Sequence, residues 1–365
     1  MKKVFFIINS FSKGGGAEAL LTMIVNNLNP QKYEIGIMEV VHDEIKVEPT
    51  NDNIKIYPYY VKANDPNRNA KMYYVYHEWD KVIDEYVPKD YDLYVSFNYL
   101  KPSFLLPRGK KNIAWIHTDV YDLLAEDKKE EKELQNDAFK KAQKIVVISD
   151  ITKQSIEEMY PEHSDKIRLI WNGIDEKQIK EKAKEQTDVK LEHPAILAIG
   201  RLEDRKNPLR LLSVFEQVHK KRKDTHLYYL GYGELEEEVR RRSQEMGINE
   251  YVHLLGYYDN PFPIIAQCDV SCMLSKADGF GLVMAESICL GRPYVATDIG
   301  AARFLSNDGK CGRVIETDDQ AAEEILSLLN YDENMELYCS EAIKRCELNH
   351  YIRQIEDLFD EVINS

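Results

Sequence analysis

Short apolar runs rich in β-branched and aromatic residues alternate with longer amphipathic segments along the whole chain. The first half predicts strands over residues 3–9, 33–41, 54–60, 93–98, 112–117 and 144–149, with helices over 17–28, 75–86, 129–141 and 152–160. A second series of strands opens at 167–171 and continues at 195–200, 226–231, 252–255, 270–274, 294–297 and 312–315. Its helices fill 208–221, 235–246, 263–268, 282–290, 319–329 and 333–345. Strand and helix in alternation are the mark of βαβ units and so of parallel sheets. The chain closes on a helix over 350–363, where Ile352, Ile355, Leu358, Phe359 and Val362 recur at helical spacing.

A chain of 365 residues exceeds the size at which one core stops growing. The expectation is an α/β protein of two Rossmann-like, doubly wound parallel-sheet domains facing across a cleft. The first spans 1–165 and the second 166–346, with 350–365 packing back on the first. Residues 176–193, highly charged and followed by Pro194, read as a linker or as a short helix over 177–184. In such folds ligands bind outside the carboxyl ends of strands.

Charge and cysteine content narrow the function classes. The formal net charge of −15 argues against nucleic acid as a partner, because a phosphate polymer is repelled. Of the basic clusters at 201–210, 220–223 and 240–242, and the acidic ones at 126–133 and 234–238, most read as solvated helix faces. The six cysteines have neither CxxC spacing nor zinc-type histidines and read as small buried residues. Residues 1–8 are too short an apolar run for a signal peptide, and no segment approaches the roughly 18 apolar residues of a membrane span. A cytoplasmic protein is expected.

Candidate chemistry gathers at strand ends. Residues 275–293 place Asp278 before Gly279 and Gly281, with Glu286 eight positions on and a Gly-Arg-Pro stop. Glycines let a ligand approach the backbone, and a following helix offers unpaired N–H groups and a positive dipole end, which suits a phosphate. Alternatively, Asp278 caps the helix and Glu286 faces solvent. After the first strand, Gly14, Gly15 and Gly16 match neither a Walker A loop nor GxGxxG; they line a phosphate or sugar, or form a flexible turn.

After residues 195–200, Arg201 and Lys206 flank a loop that ends in Asn207, read as a helix cap, and Pro208. Two converging cations suit a diphosphate; exposed surface charges are the plain alternative. Gly231 and Tyr232 follow one strand, and Leu255, Gly256 and Tyr257 another. They can hold a nucleoside base by backbone groups and a stacked ring, or act as turn residues. His117 ends the strand 112–117 and meets a sugar hydroxyl or simply closes the strand.

Together the glycine loop continuing as Ala17-Glu18, Arg201-x4-Lys206, Asn172-Gly173-Ile174-Asp175, and Asp278-Gly279-Phe280-Gly281-Leu282-Val283-x2-Glu286 resemble family 4 retaining glycosyltransferases of the GT-B fold. The resemblance covers nearly the whole chain, most strongly residues 171–298. It implies that Arg201 and Lys206 hold the donor diphosphate and stabilise charge developing on it, so that neither metal nor cofactor is required. It further implies that backbone groups of Phe280 and Gly281 meet sugar hydroxyls, that those of Leu282 and Val283 meet the distal phosphate, and that Glu286 binds the ribose. Asp278 would grip the transferred sugar, while the glycine loop and His117 close over it from the other domain. The family usually has Glu where this chain has Asp278, a side chain shorter by about 1.5 Å.

The resemblance implies transfer from a nucleotide diphosphate sugar, with UDP sugars favoured, to a sugar or lipid-linked acceptor in surface polysaccharide or glycolipid assembly. Attack from the leaving-group face would retain configuration. The rivals are a nucleotide-sugar epimerase or glycan phosphorylase of the same fold, and a binding protein that has lost transfer. Residues 104–111 and 62–76 mix apolar, aromatic and basic side chains and raise weak peripheral contact with the inner face of a membrane, which the acidic net charge opposes. The sequence sets no oligomeric state.

Overall fold

A computed structural model describes residues 1–11, 15–43, 49–330 and 332–365. They form two units, Met1–Trp171 with Asn349–Ser365, and Asn172–Leu348.

The first unit holds β1 (Lys2–Ile8), β2 (Tyr33–Glu39), β3 (Val41–His42), β4 (Ile54–Ile56), β5 (Val61–Lys62), β6 (Leu93–Phe97), β7 (Asn112–Ile116), β8 (Lys144–Val147) and β9 (Ile167–Leu169). Seven of these make one parallel sheet in the order β4-β2-β1-β6-β7-β8-β9, while β3 and β5 pair separately. Every residue of β6 and β7 is buried, as expected where helices cover both faces of a parallel sheet.

The C-terminal helix Leu348–Asn364 supplies part of that cover. Phe359 sets its ring 6.1 Å from Phe6 and 5.9 Å from Tyr33. Beside it, Asp360 accepts from Lys2 at 2.9 Å and from the Tyr33 hydroxyl at 2.9 Å, and pairs with Lys32 at 2.8 Å.

The second unit contains β10 (Ala195–Ile199), β11 (His226–Leu230), β12 (Val252–Gly256), β13 (Val270–Met273), β14 (Tyr294–Thr297) and β15 (Gly312–Ile315). They form a parallel sheet in the order β12-β11-β10-β13-β14-β15. The helix Pro208–Lys221 packs Leu211, Leu212, Phe215 and Val218 on one face; Leu191, Ile264 and Ile265 cover the other. All six cysteines are buried and free. The basic residues Arg240, Arg241 and Arg242 pair with Glu236, Glu238 and Glu245 along the helix Glu236–Glu245, a solvated face.

Three expectations are corrected. The strand read at 167–171 as the start of the second series pairs with β8 (Ile145↔Ile167, Val147↔Leu169), so the division falls after Trp171 rather than after residue 165. Long-range pairing decides which sheet a strand joins, and a three-residue Ile-Arg-Leu segment does not encode it. The helix expected at 75–86 is two, Arg68–His77 and Trp79–Tyr86, broken at Glu78 (φ −138°, ψ 40°). The strand expected at 33–41 stops at Glu39, after which Val41 and His42 leave for β5.

Because Phe359 is fully buried against two aromatic rings, Phe359→Ala should cost about 3–5 kcal/mol. In calorimetry the transition of the first unit should move to lower temperature.

Candidate active site

In the second sheet the strand order reverses between β10 and β13, so their connections leave in opposite directions and open a crevice at their carboxyl ends. A cavity there is lined by Gly200, Arg201, Lys206, Cys272, Leu274 and Ser275. The sequence's two cations thus stand at the mouth where this topology places ligands.

Gly200, at φ +140°, turns the chain out of β10, and the Lys206 stem folds back against it, with carbons 3.7–3.8 Å from where a Cβ would sit. A 3₁₀ turn, Asp204–Lys206, leads to Asn207 in the left-handed region at φ 53°. Asn207 therefore does not cap the helix Pro208–Lys221 with its side chain, contrary to the sequence reading. Its N–H closes the preceding turn on Glu203 and Asp204 instead, in a conformation that Asn tolerates.

Asp278 engages both carboxylate oxygens. Oδ1 accepts from the Gly281 N–H at 2.9 Å, and Oδ2 accepts from Lys206 Nζ at 2.5 Å. The capping alternative is thus part of its role, and it also fixes a cation. Three more bonds tie the same loops: Lys276 N–H donates to the Arg205 carbonyl at 2.9 Å, Arg205 Nε to the Ala277 carbonyl at 3.3 Å, and Lys276 Nζ pairs with Asp204 at 2.6 Å. Arg201 is exposed and rests on Glu203 at 3.0 Å.

Gly281, at φ +80°, opens the helix Leu282–Cys289. The N–H groups of Leu282 and Val283 fall in the first turn, where no intrahelical acceptor exists and the dipole favours an anion. Phe280 is buried, and its carbonyl accepts from the Ala301 N–H at 2.9 Å.

Glu286 follows on this helix, between buried Ala285 and Ser287. Its side chain is half-buried by area, yet burial of the carboxyl pushes it up to about 7. Among the described residues it has no hydrogen bond or ion pair.

The loops after β11 and β12 join this construction. A Cβ on Gly231 would lie 2.1 Å from the Gly200 carbonyl oxygen, and one on Gly233 2.4 Å from that of Leu202, so both glycines permit close backbone packing. The Leu202 N–H donates to the Tyr232 carbonyl at 3.0 Å, and the Gly231 N–H to that of Gly256 at 2.7 Å. Tyr232 and Tyr257 stand more than half exposed, 56% and 54%, with rings 6.1 Å apart and near-perpendicular. Leu255, half-buried, packs against the core cluster that holds Leu197, Tyr228 and Leu230.

In the first unit, Gly14 lies outside the described residues. Gly15 is the N-cap of the helix Gly16–Asn27 in extended conformation, and Gly16 opens that helix. His117, just beyond β7, is 4.0 Å from the Phe97 ring and stacked at 5.9 Å on Trp115. Its Nε2 is buried with no hydrogen-bond partner among the described residues, and burial pushes the imidazole down to about 3, so it is neutral near pH 7. A neutral ring with an open nitrogen suits a hydroxyl better than an anion.

Two residues that shape strand-end loops, one in each unit, escaped the sequence reading. Gly300, at φ 50°, brings its loop so close to Phe280 that a Cβ would sit 2.7 Å from that carbonyl; a lone Gly just after residues 294–297 was the available signal. Glu39, buried at the end of β2, accepts the Phe11 N–H at 2.8 Å and pairs with His42, fixing the exit from β1. A carboxylate ending an apolar strand was the clue there.

The raised Glu286 pKa fixes the sign of a pH effect. The carboxyl ordinarily titrates at 4.5 and here near 7. Its favourable contribution is full below pH 4.5 and lost as pH rises through 7. Glu286→Gln should therefore raise the melting temperature at pH 8 and leave it nearly unchanged at pH 4.5, as thermal unfolding across pH will show.

Comparison with known proteins finds family matches over both units. Residues 179–345 match Glycosyl transferases group 1, and residues 14–178 match Glycosyltransferase Family 4. The chain is 30% identical over 185 residues to the N-acetylgalactosamine-N,N'-diacetylbacillosaminyl-diphospho-undecaprenol 4-alpha-N-acetylgalactosaminyltransferase of Campylobacter jejuni, covering 50% of this chain and 49% of that protein. It is 31% identical over 179 residues to the phosphatidyl-myo-inositol mannosyltransferase of Mycobacterium leprae, covering 47% of each. The chain thus spans about half the length of these curated relatives. A crystal structure of Anabaena Alr3699/HepE in complex with UDP superposes with a TM-score of 0.73 at 16% identity, covering 99% of this chain and 100% of that one, a likeness of fold alone. With group 1 matched by its second unit and family 4 by its first, the chain belongs to the glycosyltransferases of the GT-B fold.

Proposed function

We propose that this chain transfers a sugar, with retention of configuration, from a nucleotide diphosphate sugar to an acceptor of surface polysaccharide or glycolipid assembly. The observation that carries the reading is the placement of Arg201 and Lys206 at the carboxyl ends of β10 and β13, where the strand order reverses. There the diphosphate meets two cations and the first-turn N–H groups of Leu282 and Val283. As the bond from the sugar's anomeric carbon to the leaving oxygen breaks, the electron pair goes to the diphosphate. The two cations stabilise that charge, Lys206 from a position held by Asp278 and Arg201 by turning from Glu203 onto the diphosphate, the role a metal has elsewhere.

The acceptor hydroxyl attacks from the same face, and the departing phosphate oxygen takes its proton. Asp278 acts here mainly by positioning Lys206 and the 278–281 turn, since both its oxygens are already engaged. Glu286 offers an unpaired carboxyl to ribose hydroxyls, and the Tyr232 and Tyr257 rings offer a face to the base. UDP is the first base to test, because the similar Anabaena protein was crystallised with it. The names of the Campylobacter and Mycobacterium relatives, which speak of a diphospho-undecaprenol and a phosphatidyl-inositol, support a lipid-borne acceptor.

Arg201→Ala and Lys206→Ala should each lower turnover by roughly 10²–10³, the usual loss for one transition-state donor. Slow release of nucleoside diphosphate from UDP, GDP and ADP sugars, measured with thermal stabilisation, gives both rate and base. Near-normal rates in both variants would overturn the diphosphate assignment.

A further inference from the structure

At the opposite, amino end of the same sheet, His226 opens β11, and His253 lies on its neighbour β12, the edge strand. The register pairs Tyr228 with His253, so strand alternation puts His226, Tyr228 and His253 on one face. His226 Nδ1 stands 3.1 Å from His253 Nε2, and the exposed Glu192 carboxylate is 3.9 Å from the other His226 nitrogen, Nε2. The Tyr228 ring stacks on His253 at 4.4 Å and 15°, and its hydroxyl accepts the Glu192 N–H at 2.8 Å, so one tyrosine orients both neighbours. Ligand atoms from Glu192, His226 and His253 all lie within 4.8 Å of one another.

We propose that this cluster binds a divalent transition metal of the Zn²⁺, Ni²⁺ or Cu²⁺ type, held by His226 Nδ1 and His253 Nε2, with water completing its shell. Two imidazole nitrogens on one tetrahedral zinc stand about 3.3–3.4 Å apart, given Zn–N bonds of about 2.0–2.1 Å. The observed 3.1 Å needs a shift of only a few tenths of an ångström. The Glu192 charge, 3.9 Å from His226 Nε2, favours the proton on that nitrogen and leaves Nδ1 as a lone pair; a small shift of this exposed side chain completes the carboxylate–histidine–metal arrangement that orients a ligand. Without metal, one ring donates to the other across the gap. Binding requires the His253 proton to reside on Nδ1, a tautomer change with no net loss of protons. The bound ion clamps edge strand β12 to β11 and so stabilises the folded state by mass action. The site is remote from the crevice along the strands and takes no part in transfer.

The test uses the full chain without a histidine tag. Co²⁺ should give visible ligand-field bands saturating at one equivalent and displaced by Zn²⁺, and Zn²⁺ should raise the melting temperature in a saturable way. His226→Gln and His253→Gln should each abolish both signals, while Glu192→Gln weakens binding by about tenfold. In the unmutated protein, Zn²⁺ should also protect His226 and His253 from diethylpyrocarbonate, read by peptide mass, a measurement that needs no variant to fold. Absence of bands, of stabilisation and of protection overturns the proposal, as does an undiminished response in both histidine variants.

Discussion

The site depends on the bond network that ties the loop after β10 to the loop after β13. Parallel strands deliver their loops to one edge, but two loops leaving in opposite directions have no reason to stay together. Lys206 with Asp278, Lys276 with Asp204, and Arg205 with the backbone of Lys276 and Ala277 hold them although they are far apart in sequence. None of these bonds is worth much alone at a half-exposed edge. Together they fix the separation of Arg201, Lys206 and the first turn of Leu282–Cys289, and a cluster preorganised in this way is what electrostatic stabilisation requires. Glycines do the complementary work: Gly231, Gly233 and Gly300 let three backbones approach to distances that any side chain would forbid.

The charge state of the site follows from the same construction. Both cations already have carboxylate partners, Glu203 for Arg201 and Asp278 for Lys206, so no bare positive charge stands in the crevice without ligand. A diphosphate competes with those carboxylates, and the exposed Arg201 is free to turn. The half-buried Lys206 pair is the more rigid of the two. Burial brings Glu286 close to half-ionised at neutral pH, which suits it to hydroxyls rather than to phosphate.

Much of this was legible in the sequence because the alternation of apolar runs and amphipathic stretches is a local signal. Asp278, Gly281 and Glu286 were readable together because they lie within one short segment. What the sequence hid is long-range or conformational. The run 167–169 looks the same whether it joins β8 or starts a new sheet. Asn207 beside Pro208 looks like a cap, and only its left-handed φ shows that it is not one. Nor does any spacing announce that His226 and His253 meet, because the register between two strands decides it.

Hydrogen exchange followed by mass spectrometry, with and without UDP, bears most directly on whether the crevice between β10 and β13 is the donor site. UDP should slow exchange in the peptides covering residues 200–207 and 278–286, with a smaller effect at 231–233 and 255–257. Binding of UDP that leaves the first two segments unprotected would contradict it.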